Sequence, residues 1–204
     1  MCRNSRPLVA SLRVVVVLGI LCSTLSAGEN DWTSQGPDVI VNRVVADTQR
    51  QWLYAGTSEG VYERAFDDSI WTPMASSLAD HNVLSFAVDE TDGRLYAGTS
   101  QGLFVSANAG TLWTAAVEPG SGIMSLATGL TTGRVYVGTF GRGIYSSQDG
   151  GNSWTRGDVP DAIVYDIAPA FDDQTVYAAT ASGILVSSDN GLTWAAPGDQ
   201  LTTT

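Results

Sequence analysis

The sequence predicts an all-β chain, a β-propeller of four-stranded antiparallel blades, with about four blades in its 204 residues. Three observations carry this reading. The first is self-similarity: WLYAGTSEGVY, RLYAGTSQGLF, RVYVGTFGRGIY and TVYAATASGIL align, with Tyr54, Tyr96, Tyr136 and Tyr177 spaced by 42, 40 and 41 residues. The second is an independent landmark at the same period, Trp71, Trp113, Trp154 and Trp194, spaced by 42, 41 and 40. The third is a period-two alternation of apolar and polar residues inside each repeat, with no helical stretch. Four short strands in a repeat of about 40 residues is the signature of a propeller blade.

Repeat 2 shows each strand in turn. VLSFAVD (83–89) alternates and stops at the turn pair Asp92-Gly93. RLYAGTS (94–100) is rich in strand formers, and LFVSA (103–107) follows Gly102. Asn108-Ala109-Gly110 then turns the chain into TLWTAAV (111–117), a fourth strand that carries the tryptophan. The other repeats read the same way, giving blades at about 38–76, 82–117, 121–158 and 162–198 within a domain spanning 28–204. Small residues in the second strands (Ala55-Gly56, Ala97-Gly98, Val137-Gly138, Ala178-Ala179) predict a close approach by a neighbouring blade. The tryptophans are the expected fillers between blades, each contributing about 2–3 kcal/mol if buried.

The N-terminus reads as a targeting segment over residues 1–27. Arg3, Arg6 and Arg13 precede the apolar run Val14–Leu25, and Ser26-Ala27-Gly28 supplies small residues for cleavage. The run is too short for a comfortable transmembrane helix, which needs about 20 residues. The expected location is secreted or periplasmic. Both cysteines, Cys2 and Cys22, fall inside this segment, so the mature chain is expected to have no thiol and no disulfide. Residues 29–37, with Asp31-Trp32-Thr33, read as an orphan outer strand. The last repeat already has its own outer strand at Trp194. The chain is therefore either a four-bladed ring with a decorated N-terminus or part of a larger one, completed by self-association or by further propeller blades. The second reading is favoured.

Composition narrows the function classes. All ten basic residues are arginine, against 21 acidic residues, for a net charge of −11. Losing three arginines with the N-terminal segment makes that −11 − 3 = −14. Such a chain repels phosphate backbones and anionic lipid, so neither nucleic acid nor membrane insertion of the processed chain is expected. One histidine and no mature cysteine rule out an ordinary zinc site, and neither metal nor cofactor is expected.

The turns before the tryptophans carry a motif. Ser187, Asp189, Gly191, Thr193 and Trp194 form Ser-x-Asp-x-Gly-x-Thr-Trp. Ser147, Asp149, Gly151, Ser153 and Trp154 repeat it with Ser for Thr, and Ser106, Asn108, Gly110 and Trp113 are a worn copy. At Trp71 only the tryptophan remains, with Arg64, Phe66 and Asp68 in place of Ser, Asp and Gly. An Asp two residues before a Gly can accept hydrogen bonds from turn amides, and Gly supplies the positive φ of the hairpin. The motif therefore reads as a fastener.

Over residues 38–198 the chain resembles the Asp-box (BNR-repeat) propeller superfamily, and is most similar to bacterial photosystem II stability/assembly factor-like proteins and to sortilin- and xyloglucanase-type repeat proteins. The resemblance implies that the box joins the third and fourth strands, on the face away from the ligand site, and that its Asp is not catalytic. It also brings two enzyme comparisons. Sialidases need an arginine triad, for which no Arg-Ile-Pro-type segment is present, and Arg94 and Arg134 fall at turns expected on the wrong face. Xyloglucanase-like enzymes need two carboxylates across a cleft.

Loops between the second and third strands, together with blade-to-blade loops, form the face where a propeller would meet a ligand. The candidates there are Glu59, Asp80, His81, Gln101, Glu118, Phe140, Arg142, Asp158 and Asp161. Phe140 beside Arg142 is the most site-like pair, able to stack on a sugar or an aromatic side chain. No catalytic residue is assigned. The expected function is an exported, non-enzymatic binding or scaffold module for a protein or glycan, and the alternative is a glycoside hydrolase using loop carboxylates.

Overall fold

The computed structural model describes residues 39–197, apart from 75–76, 117–118, 121, 131–132, 160 and 173. The targeting segment, the expected strand at 29–37 and Glu118 lie outside the described residues.

Fifteen strands form four antiparallel sheets, with no helix among the described residues. Blade 1 comprises β1 (Val41–Asp47), β2 (Trp52–Thr57), β3 (Gly60–Ala65) and β4 (Thr72–Pro73). Blade 2 comprises β5 (Val83–Val88), β6 (Leu95–Thr99), β7 (Leu103–Ser106) and β8 (Thr114–Ala115). Blade 3 comprises β9 (Ile123–Thr128), β10 (Val135–Thr139), β11 (Ile144–Ser147) and β12 (Thr155–Arg156). Blade 4 has β13 (Val164–Pro169), β14 (Val176–Thr180) and β15 (Gly183–Ser187), and its fourth strand shrinks to a single bridge between Val186 and Ala195. Each sheet runs in simple meander order.

The outer strands are two residues long, and each tryptophan lies just before its strand rather than in it. The reason is packing. The indole turns out of the ladder and into the seam with the preceding blade, where Trp113 is buried and Trp154 and Trp194 are half-buried.

The core lies between blades rather than within them. The first cluster joins Tyr54 and Val61 of blade 1 to Val83, Phe86 and Trp113 of blade 2. The second joins Tyr96 and Leu103 of blade 2 to Ile123 and Leu126 of blade 3, and the third joins Tyr136 and Ile144 to Val164 and Ile167 of blade 4. Each seam uses the same parts: a Tyr and an aliphatic residue from one blade, two inner-strand apolar residues from the next, the second of them Phe86 in the first seam and aliphatic in the other two. The mid-strand glycines explain the tightness. A Cβ on Gly56 would come 2.8 Å from Val83 Cγ1, and one on Gly138 would come 2.6 Å from Val164 Cγ1.

Among the described residues the four blades form an open arc. β1 packs on β5, β5 on β9 and β9 on β13, but β13 and β1 do not pack against each other in the same way.

Candidate functional site

The loops after β2, β6, β10 and β14 share one face of the arc, and one residue type shapes all four. Thr57, Thr99, Thr139 and Thr180 end their strands, and each hydroxyl donates across its loop, to the carbonyl of Gly60 (3.0 Å), Gly102 (2.9 Å), Gly143 (2.8 Å) and Gly183 (2.8 Å). The same oxygens accept from the amides of Glu59, Gln101, Arg142 and Ser182. These threonines position the loop tips. The signal for them was Thr at the same place in every repeat.

Backbone bonds then tie each tip to a blade-to-blade connection. Gly60 N–H donates to the His81 carbonyl, Gly122 N–H to Ser100, Phe140 N–H to Gly122 and Ala181 N–H to Ile163. The face is thus held by buried fasteners and cross-blade bonds, which suits a site on a rigid scaffold.

Blade 3 differs. Its loop between Thr139 and Gly143 is one residue longer, and Phe140 stands opposite Ile163 in an isolated bridge, 62% exposed as a residue. Arg142 beside it is exposed, and its carbonyl accepts from Arg156 Nε at 3.1 Å. Arg156 in turn forms an exposed ion pair with Asp161. Phe140, the backbone of Arg142 and Asp161 are thereby gathered at the blade 3–4 corner around Arg156, which the sequence reading did not single out, while the Arg142 guanidinium lies against Gly120 in the connection between blades 2 and 3.

The other candidates are spread out. Glu59 and Gln101 are exposed tips of the first two loops, and Asp80 lies exposed in the turn before His81. His81 is half-buried, packs edge-on against Phe104 with ring centroids 5.0 Å apart, and its Nδ1 has no hydrogen-bond partner. Asp158 is taken up by the outer seam, where its carboxylate accepts the Trp194 N–H at 2.8 Å.

A second feature opens on the same face, in the centre of the arc. Every innermost strand has a register shift at its second residue, between Val41 and Arg43, Val83 and Ser85, and Val164 and Asp166, and opposite Thr139 in β9. Such bulges re-aim side chains. Asn42, Leu84, Met124 and Tyr165, with Arg43, Ser85, Ser125 and Asp166 next to them, line an axial cleft of about 160 Å³. Sequence reasoning missed these residues. The available signal was a pair of inner-strand positions, the second and third, that changes type between near-constant apolar flanks: V-N-R-V, V-L-S-F, I-M-S-L, V-Y-D-I.

The Ser-x-Asp-x-Gly turns sit on the opposite face. Asp149 Oδ1 accepts from Ser147 Oγ (2.8 Å) and Ser153 N–H (2.9 Å), while Oδ2 accepts from Ser153 Oγ (2.6 Å). Asp189 repeats this with Ser187 and Thr193. The hydroxyls of Ser153 and Thr193, then their backbone amides, hold both carboxyls down to about 2. In the worn copy, Asn108 accepts from Ser106 and from the Leu112 amide. Arg94 lies on this face too, donating to the Gly150 carbonyl at 2.9 Å. Among the described residues no group of three or more His, Cys, Asp or Glu side chains could hold a metal ion.

Comparison with known proteins is consistent with this geometry. An ancestral GH74 enzyme superposes with a TM-score of 0.68 at 25% identity, over 78% of this chain and 24% of its own. The GH74 xyloglucanase from Xanthomonas campestris gives 0.57 at 18%, over 75% and 29%. The extracellular domain of a hybrid two-component system from B. thetaiotaomicron gives 0.62 at 14%, over 81% and 22%. This chain spans less than a third of each of these structures. No curated protein matches the chain. The family model for the DUF6242 beta propeller domain matches residues 27–166, more than half of the sequence, and the chain belongs to that family.

Proposed function

We propose that this chain is an exported, non-enzymatic binding module that takes a glycan or a protein through its loop face. The single observation that carries the reading is Phe140. A large aromatic residue, 62% exposed, is held on backbone fixed from both sides, by its own N–H on Gly122 and by the bridge to Ile163. Rigid exposed aromatics next to arginine are what binding surfaces use. The Arg142–Arg156–Asp161 group supplies polar contacts at its rim.

Kinship with Asp-box (BNR-repeat) propellers is part of the same proposal, supported by the Ser147-Asp149 and Ser187-Asp189 fasteners. Export is supported by the charge and hydropathy pattern of residues 1–27 and by a similar fold in an extracellular domain. The xyloglucanase among the similar structures names a probe. Retardation of the chain in a native gel containing xyloglucan is the expected result, and Phe140→Ala or Arg142→Ala should weaken it about tenfold. Release of reducing ends from xyloglucan would favour the hydrolase reading. Retardation unchanged in both variants would remove this corner from the site.

A further inference from the structure

The repeat makes the two end faces of the arc directly comparable with its internal seams. Tyr54, Tyr96 and Tyr136 are 2%, 0% and 1% exposed, each covered by the following blade, whereas Tyr177 is 47% exposed. Val83, Ile123 and Val164 are fully buried against the preceding blade, whereas Val41, at the same strand position, is 42% exposed. Ile184, equivalent to the buried Val61, Leu103 and Ile144, is only half-buried. Among the described residues, blade 4 therefore presents a half-seam with no blade packed after it, and blade 1 a half-seam with no blade packed before it.

We propose that two copies of this chain associate head to tail, the β1 edge of one seated on the β13–β14 face of the other. The warrant is continuity: the same surface pair is buried three times inside the chain. Val41 takes on Ala179 the place that Val83, Ile123 and Val164 take on Gly56, Gly98 and Gly138.

Charge supports the same direction. At the internal seam between blades 3 and 4, third-position residues of neighbouring inner strands meet, with Ser125 Oγ donating to Asp166 at 3.3 Å. At the new seam Asp166 of one copy faces Arg43 of the next, so opposite charges come together. The docked copy also extends the axial cleft, bringing its Asn42 and Arg43 beside Tyr165 and Asp166. The match is strongest over the inner two strands. At the outer edge blade 1 has Asp68 where blades 3 and 4 have Gly151 and Gly191, the glycines that lie against Tyr96 and Tyr136. Ala179 adds a methyl that the internal seams exclude, so the contact is looser than an internal one and dissociates on dilution.

The test is the solution mass of the full chain by sedimentation velocity, up to about 100 μM. A concentration-dependent mass above the monomer is expected. Val41→Arg and Tyr177→Arg, both at exposed positions, should each be monomeric, with a thermal transition equal to that of the wild-type chain at concentrations too low to associate. An equimolar mixture of the two should form a dimer, because each variant keeps the face the other has lost. Ala179→Gly should tighten association severalfold. A monomer at every concentration overturns the proposal. So does association that survives both arginine variants, or association that Tyr177→Arg abolishes and Val41→Arg leaves intact, which would mean like faces pairing.

Discussion

Ile123 lies directly over the bare backbone of Gly98: a Cβ built on that glycine would come 2.5 Å from Ile123 Cγ2 and 2.9 Å from its Cβ. The seam between blades 2 and 3 is set by this contact. Neither partner can yield, because Ile123 is fully buried on a strand and its β-branched side chain has little rotamer freedom. Gly98→Ala is therefore expected to destabilise the chain by about 1–3 kcal/mol through overpacking, against Ile123 across the seam and against Ser85 Oγ within blade 2. Urea unfolding of the two proteins measures it, and a neutral result would mean that the blades separate easily.

The fasteners on the opposite face make a second prediction. Ser187 is buried, and its hydroxyl donates to Asp189 while accepting the buried Gly191 amide at 2.8 Å. Ser187→Ala strands that amide without a partner. A buried unsatisfied donor costs about 1–3 kcal/mol. Gly191 lies against the ring of Tyr136, so the loss should also loosen the blade 3–4 seam. Hydrogen exchange at Gly191 and around Tyr136 should rise together.

The features visible in the sequence are those the repeat forces to recur. Tyr54, Tyr96 and Tyr136 mark the second strands and the seams at once, and the mid-strand glycines mark the close approach. The Ser-x-Asp-x-Gly turns were legible because their chemistry is local. The axial residues were not, because a bulge is fixed by pairing with a partner strand and moves Asn42 or Tyr165 out of the simple in-out alternation. The outer strands are shorter than their composition predicts for a related reason. Strand-forming composition around Trp113 is spent on seam packing rather than on the ladder. Arg156 escaped notice because it has no counterpart in the other repeats.

The carboxyls of the fasteners set an acid limit. Asp149 and Asp189 are held at about 2, below the ordinary 3.8, by the hydroxyls and amides of Ser153 and Thr193. A depressed folded value means that the stabilisation is complete above about pH 4 and is lost as pH falls towards about 2. Glu63 acts in the opposite sense. Burial raises its carboxyl, so its contribution is present at low pH and fades as pH rises. The melting temperature should therefore drop between pH 4 and pH 2, and the drop should flatten in the Asp149→Asn, Asp189→Asn double variant. An equally steep drop in that variant would assign acid sensitivity to other carboxylates.

Tyr136 and Tyr177 occupy the same place in neighbouring blades, and their different surroundings yield the sharpest comparison. Tyr136 is buried among Ile144, Val164 and Ile167, so truncation to Ala leaves a cavity and should cost about 3–5 kcal/mol. Tyr177 is 47% exposed and no described blade covers it, so Tyr177→Ala should change monomer stability by no more than about 0.5 kcal/mol. If the head-to-tail contact forms, the second variant acquires a cost that grows with protein concentration, because association stabilises the folded chain by mass action. Thermal melts of both variants at low and high concentration separate the two terms. A large, concentration-independent loss in Tyr177→Ala would show that the ring is covered within one chain.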